Sequence, residues 1–150
     1  MHPIRRLIVI FLCGAVALLL AFPFALYYLG LSGIHGLPQK PRQLVSKEQQ
    51  ALVWKQARGD GTPHIETLNP CTYVIKLVKQ DGSMTPGHAI VWQLASSYLL
   101  DHRRHKSMGW WHLSGAALTI WLTHNWTSEE ILSAAAALPH DSRQDRRSSA

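Results

Sequence analysis

The sequence predicts a mainly α-helical protein, in which a single N-terminal transmembrane helix is followed by one small helical domain. Three observations support this. The run 7–31 carries no charged residue. Apolar residues recur at helical spacing through 85–137. Helix-capping residues stand where helices would begin, at Ser46, Thr85 and Thr127.

The run 7–31 is about 25 residues long, enough to cross a hydrocarbon core of roughly 30 Å. A cleaved signal peptide would have an apolar core of about 7–15 residues and a small-residue cleavage site, and neither is clear here. We therefore expect an uncleaved anchor. Arg5 and Arg6 favour a cytoplasmic N-terminal tail, 1–6, although basic residues also follow the span at Lys40 and Arg42.

The segment 32–43 has the Gly, Pro and polar composition of a linker. Ser46, with Gln49 three residues later, forms a capping-box pattern and predicts a helix over 46–58. The stretch 59–70 is turn-rich and is predicted to be a loop.

Thr72 to Val78 is β-branched and alternating, so the pattern fits a strand or a short buried helix equally well. Asp81 and Gly82 then predict a turn. Cys71 is expected to be a lone buried thiol, because the other cysteine, Cys13, lies in the membrane span.

Three amphipathic helices are predicted between Thr85 and Ala137. Thr85 followed by Pro86 is typical of a helix start, and Thr127 with Glu130 forms a capping box. The last helix should end near Leu138, before Pro139. The domain would thus occupy 44–138, and the tail 139–150, which lacks apolar clusters, should be disordered.

The same stretch carries several short motifs in a fixed order. These are Gly87, Ile90, Gln93, Leu94 and Ala95; an arginine at 103 or 104; Trp121 and Leu122; and Ser128, Glu129, Glu130, Ile131 and Leu132. In this order and spacing the chain resembles the peptidoglycan glycosyltransferases, the transglycosylase domains of penicillin-binding proteins and their monofunctional relatives.

The resemblance implies a lysozyme-like α-helical domain that faces the periplasm from a bacterial inner membrane. It also implies lipid-linked peptidoglycan precursor as the ligand, and no cofactor. Gln93 matches a polar residue of the family's substrate cleft, and Arg103 or Arg104 matches an arginine that contacts pyrophosphate. A solvated position on the outer side of the helix is an equally good interpretation of Gln93.

The chain lacks the catalytic residues of the family. The Glu-Asp-x-x-Phe segment that supplies the family's catalytic glutamate has no match upstream of Gly87, and the position of a second family glutamate is Gly115. A glycine cannot act as a base. Weak substitute candidates are Glu66, His112 and Glu129.

Arg103, Arg104 and Lys106 form a basic cluster between two predicted helices, flanked by His102 and His105. Guanidinium groups suit phosphate oxygens, so the cluster fits a phosphate-bearing ligand. It fits anionic lipid head groups or simple solvation as well. No compact metal-ligand motif appears among the nine histidines. Nucleic acid is not expected beside a membrane span.

Three functions remain open. The first is a membrane-anchored, non-catalytic relative, a pseudoenzyme that binds lipid-linked precursor or a cell-wall synthase. The second is an active glycosyltransferase with a rearranged base. The third is a membrane scaffold with no ligand.

Overall fold

The computed structural model describes residues 2–78 and 84–138. Six helices occupy these residues: α1 His2–Ser32, α2 Lys47–Gln56, α3 Pro70–Val78, α4 Pro86–His102, α5 Met108–Asn125 and α6 Ser128–Ala136. The mainly helical prediction is confirmed, since the described residues form no strand beyond one isolated bridge. The predicted turn at Asp81 and the tail 139–150 lie outside the described residues.

Helix α1 has a free part, residues 5–22, and a C-terminal part that packs on the domain. Its stretch from Arg5 to Ser32 is long and apolar enough to cross a membrane. No residue of 5–22 is buried, whereas Gly30 and Gly33 near its end are. The N-terminal part of α1 therefore projects from the domain, and the C-terminal part belongs to it.

Small residues hold the packed end of α1 against α5. A Cβ atom added at Gly30 would lie 2.6 Å from the Cβ of Ala117 and 2.6 Å from the carbonyl oxygen of Leu113. The hydroxyl of Ser114 donates a hydrogen bond of 2.9 Å to the Gly30 carbonyl, and its oxygen faces Gly33. The absence of side chains at the glycines lets the two backbones approach this closely.

The hydrophobic core lies between α4, α5 and α6, with α2 closing one side. Its fully or nearly fully buried members are Val91, Ala95, Leu99, Leu118, Leu122, Ile131 and Leu132. Ile34, Trp54 and Ile65 complete it from outside these three helices. The residue that follows α1 and the loop before α3 are thus tied into the same core as the three predicted amphipathic helices.

The predicted helix starts are confirmed. Ser46, Thr85 and Thr127 each accept a hydrogen bond on the side-chain oxygen from the backbone N–H three residues later, at 3.4, 3.3 and 3.2 Å. At the start of α6 the capping box is complete, because the Glu130 carboxylate also accepts from the Thr127 N–H at 2.7 Å.

Residues 70–78 form helix α3, so the helix interpretation of 72–78 is correct and the strand interpretation is not. Asn69 precedes it, and the Asn69 side chain accepts a hydrogen bond from the Cys71 N–H at 2.9 Å, while Tyr73 N–H donates to the Asn69 carbonyl. Cys71 is free but only half-buried, so the expectation of a buried thiol is wrong. At the first turn of this helix its side chain is only partly covered by the domain.

Candidate functional site

The basic hinge, residues 102–106, is fixed to the end of α1 by backbone hydrogen bonds. His35 N–H donates to the His102 carbonyl at 2.7 Å, and Arg104 N–H donates to the Gly33 carbonyl at 2.9 Å. Ile34 and Arg103 form an isolated antiparallel bridge between these bonds. The cluster therefore has a defined position at the C-terminal end of the apolar helix.

Aromatic rings support the hinge side chains. The Arg103 guanidinium lies 5.4 Å from the centre of the Trp111 ring, within cation–π distance. The His105 ring stacks on Trp110 with 4.1 Å between centroids. The His102 ring stacks on Tyr98 at 3.9 Å, and its Nδ1 donates to the Tyr98 carbonyl at 3.0 Å.

Within the described part of the chain, no carboxylate forms an ion pair with the hinge. Arg103, Arg104 and Lys106 are exposed, and none of them forms an ion pair or a hydrogen bond through its side chain with any residue that the structure describes. Asp101 is close in sequence but is exposed and unpaired with these groups. The three cations are therefore available to an anionic ligand.

The two carboxylate candidates lie at the other end of α5. Ile65 N–H donates to the Ser128 hydroxyl at 3.2 Å, so Glu66 and Glu129 each follow one member of this pair. Both side chains are exposed. Helix α5 separates this region from the hinge and is about 27 Å long at 1.5 Å per residue.

Hydrogen bonds hold the loop before α3 against the C-terminal part of α5. Leu68 N–H donates to the Thr123 hydroxyl at 3.0 Å, and the His124 Nε2 lies 2.8 Å from the Leu68 carbonyl. Thr123 is buried and accepts this hydrogen bond. Its observed role is to attach the loop.

Gln93 is not part of the basic cluster. It is exposed on α4, about 14 Å along the helix axis before His102. Its neighbour Trp92 turns the other way, into a cavity.

That cavity has a volume of about 300 Å³ and is lined on one side by α1 and α3. From α1 it receives Pro23, Leu26 and Tyr27, and from α3 it receives Tyr73 and Val74 among others. Burial raises the pKa of the Tyr73 phenol, so this group stays neutral at ordinary pH. The cavity lies at the junction between the free and packed parts of α1.

The opposite wall of the cavity comes from α4 and α5. Trp92 faces His112, with their rings nearly parallel and 6.3 Å between centroids. A Cβ atom added at Gly115 would lie 2.8 Å from the outer edge of the Trp92 ring. Gly115, which the resemblance matches to a family glutamate, is thus covered by an indole, and none of the described residues that line the cavity is a carboxylate.

The comparisons with known proteins and the search for a metal site give no assignment. No protein-family model, curated protein or solved structure matches the chain. The transglycosylase resemblance therefore stays a prediction. In the described part of the chain no group of three or more His, Cys, Asp or Glu side chains is placed to hold a metal ion.

The sequence predicts the basic hinge but not the cavity. Tyr27 lies inside the apolar run, and Trp92 lies in a helix whose apolar residues all fit a core. Tyr73 belongs to the segment whose secondary structure was ambiguous. Only the packing of α1 against α3, α4 and α5 brings these aromatic residues together.

Proposed function

We propose that this protein is a single-pass protein of the bacterial inner membrane whose helical domain faces the periplasm and binds a lipid-linked, phosphate-bearing peptidoglycan precursor without polymerising it. The observation that carries the proposal is the basic cluster of Arg103, Arg104 and Lys106, which has no ion pair with the residues that the structure describes and whose backbone is hydrogen-bonded to the end of the apolar helix. Such a cluster suits a diphosphate, because guanidinium groups bind its oxygens through two parallel hydrogen bonds.

The packing of α1 supports its retention as an anchor. Its C-terminal turns provide Gly30 and Gly33 to the contact with α5, and the Gly30 carbonyl accepts from the buried Ser114 hydroxyl. Cleavage after Gly30 would remove the acceptor of that hydroxyl and uncover an apolar face of α5. A removable signal sequence has no reason to form these contacts.

The hinge lies close to the level of the lipid head groups. From Leu7, the first residue after Arg5 and Arg6, to Ser32 the helix is about 39 Å long, against roughly 30 Å for the hydrocarbon core and about 5–8 Å for the head-group layer on each side. The diphosphate of a lipid-linked precursor lies at this same level, within reach of the hinge.

Two features argue against polymerisation. Glycosyl transfer needs a base close to the departing phosphate, and the exposed Glu66 and Glu129 are separated from the hinge by the length of α5. His112 is nearer the hinge, but its ring is stacked with Trp92 at the cavity. Trp92 also occupies the space beside Gly115.

One observation favours a second candidate, the docking of a partner protein such as a cell-wall synthase. Leu100 and Met108 flank the hinge and are 62% and 70% exposed. Exposed apolar side chains beside a charged cluster are typical of protein interfaces.

The test is binding of purified, detergent-solubilised protein to lipid-linked peptidoglycan precursor, with polymer measured in the same samples. Arg103→Ala/Arg104→Ala should weaken binding by about tenfold or more, since two charge-assisted contacts are lost. The control is Lys47→Ala/Lys55→Ala, which removes two exposed charges from α2 and should leave binding unchanged. Polymer from the wild-type chain would contradict the non-catalytic assignment, and failure of the wild type to bind would favour the partner-docking role.

A further inference from the structure

We infer that the cavity between α1, α3, α4 and α5 holds a hydrocarbon chain of a membrane phospholipid. This inference rests on the membrane-spanning part of the proposed function and does not depend on precursor binding. The occupant is an acyl chain that enters from the surrounding bilayer.

The first argument is position. Pro23, Leu26 and Tyr27 line the cavity and come directly after the free part of α1. If the hydrocarbon core begins at Leu7, after Arg5 and Arg6, its roughly 30 Å ends about 20 residues later, near Leu26, so the cavity lies at the boundary of the core. A chain can then enter it without crossing water.

The second argument is continuity of apolar surface. Phe22 and Phe24 of α1 are 56% and 44% exposed, and Ile75 of α3 is 51% exposed beside the lining residue Val74. The surface that faces lipid on α1 therefore continues onto α3. An aqueous ligand would meet apolar side chains on these approaches.

The third argument is the chemistry of the lining. The described walls are almost entirely apolar, and the polar side-chain groups among their residues belong to Tyr27, Tyr73, Trp92 and His112. A volume of about 300 Å³ is at the lower limit for small-molecule sites, which suits a slender chain better than a sugar. Tyrosines are enriched where hydrocarbon meets water, which is where these two phenols would lie.

The fourth argument is that the cavity walls are held apart. Gly30 and Gly33 fix α1 against α5, and Trp92 lies directly on Gly115. The cavity beside these contacts cannot close by a small shift of α1 towards α5, because the backbones already touch there. An apolar cavity of this size beside a bilayer gains free energy when a chain fills it.

The experiment is photo-crosslinking of the full chain in liposomes of phosphatidylethanolamine and phosphatidylglycerol that contain a small share of phospholipid with a diazirine in one acyl chain. Labelled residues are mapped by peptide mass spectrometry. We expect labelling of Trp92 and Leu113, which both line the cavity, as well as of the free part of α1. The signal from the free part serves as an internal reference.

Ala116→Trp should lower the labelling of Trp92, relative to the reference, by about tenfold or more, because the added indole occupies the volume that the chain needs. Val74→Trp fills the cavity from α3 and gives a second, independent variant if the first folds poorly. Leu52→Trp adds bulk at an exposed position of α2 that does not line the cavity and should change nothing. Thermal unfolding in detergent checks that each variant is folded.

A parallel set of liposomes carries a diazirine polyprenyl phosphate instead. Three outcomes would overturn the inference. They are labelling of Trp92 by the polyprenyl probe but not by the acyl probe, no labelling of Trp92 by either probe, and acyl-probe labelling of Trp92 that is as strong in Ala116→Trp as in the wild type. Arg103→Ala/Arg104→Ala should label as the wild type does. Loss of precursor binding in that variant with unchanged acyl labelling would separate the hinge from the cavity.

Discussion

The two ends of α5 differ in how their polar groups are satisfied. At the C-terminal end Thr123 and His124 bond to the loop at Leu68, and the Glu130 carboxylate is held by the Thr127 N–H and by Lys40 at 3.0 Å. At the N-terminal end the backbone of the hinge is fixed and the Arg103 guanidinium lies over Trp111, but the side chains of Arg103, Arg104 and Lys106 form no ion pair with any described residue. The polar groups of the first end stabilise the fold, and the cations of the second end are the ones that we propose bind a ligand.

The difference shows why charge alone does not locate a site. Glu129 and Glu130 are neighbours, but Glu130 is a structural cap and Glu129 is exposed. The hinge differs because its backbone is held in place while its charges stay unpaired. Preorganised, unpaired charge is the arrangement that binds an anion at little entropic cost.

The largest effect is expected where α1 meets α5. Gly30→Leu would place a side chain against the Leu113 carbonyl and the Ala117 Cβ, each 2.6 Å from the new Cβ position, and should lower the free energy of unfolding by about 3 kcal/mol or more. The measurement is chemical or thermal unfolding in detergent. Gly14→Leu, which has no atom within 4 Å of its new Cβ, is the matched control and should change little.

The second effect concerns Gly115. Gly115→Glu would force a carboxylate into the contact with Trp92 and should destabilise the fold by about 2–4 kcal/mol. It should not create polymerising activity. Gly109→Glu, in open space at the first turn of α5, should be neutral. If Gly115→Glu proved as stable as the wild type and produced polymer, the account of this position would be wrong.

The third effect tests the capping box of α6. Thr127→Ala removes the oxygen that accepts from the Glu130 N–H and should lower the free energy of unfolding by about 1 kcal/mol. Thr62→Ala, an exposed loop substitution, is the control. Precursor binding should be the same in both variants, since the hinge lies at the other end of α5.

The smallest effect is a dependence of stability on pH. The Glu130 pKa lies below its ordinary value of 4.5, chiefly because the Thr127 N–H donates to the carboxylate and also because Lys40 lies beside it. Since the folded pKa is the lower one, the stabilisation is present above about pH 4.5 and is lost as the pH falls through the folded pKa. Glu130→Gln should flatten the unfolding profile in that acidic window. An unchanged profile would show that Glu130 does not contribute to the pH dependence of stability in acid.

Sequence patterns predicted most of the fold. The helical spacing and the caps at Ser46, Thr85 and Thr127 are local signals, and each helix start is where its cap predicts. The secondary structure of residues 72–78 stayed open because helix α3 depends on packing against α1, which no local pattern records.

The site was predictable only in part. The basic cluster is visible in sequence because its residues are consecutive. The hydrogen bonds from the hinge to Gly33 and His35 and the contact of Trp92 with Gly115 join residues that are distant in sequence. The lack of a carboxylate partner among the described residues also depends on which residues the fold brings near the hinge. These contacts arise from the tertiary fold, so spacing along the chain does not reveal them.

The most direct test of the account compares the two ends of α5 in one binding titration with lipid-linked peptidoglycan precursor. Glu66→Gln/Glu129→Gln removes the carboxylates at the C-terminal end, and Arg103→Ala/Arg104→Ala removes the cations at the N-terminal end. The account predicts a Kd within about twofold of the wild type for the first variant and at least about tenfold weaker for the second. The reverse pattern, or equal losses in both, would contradict the assignment of binding to the hinge.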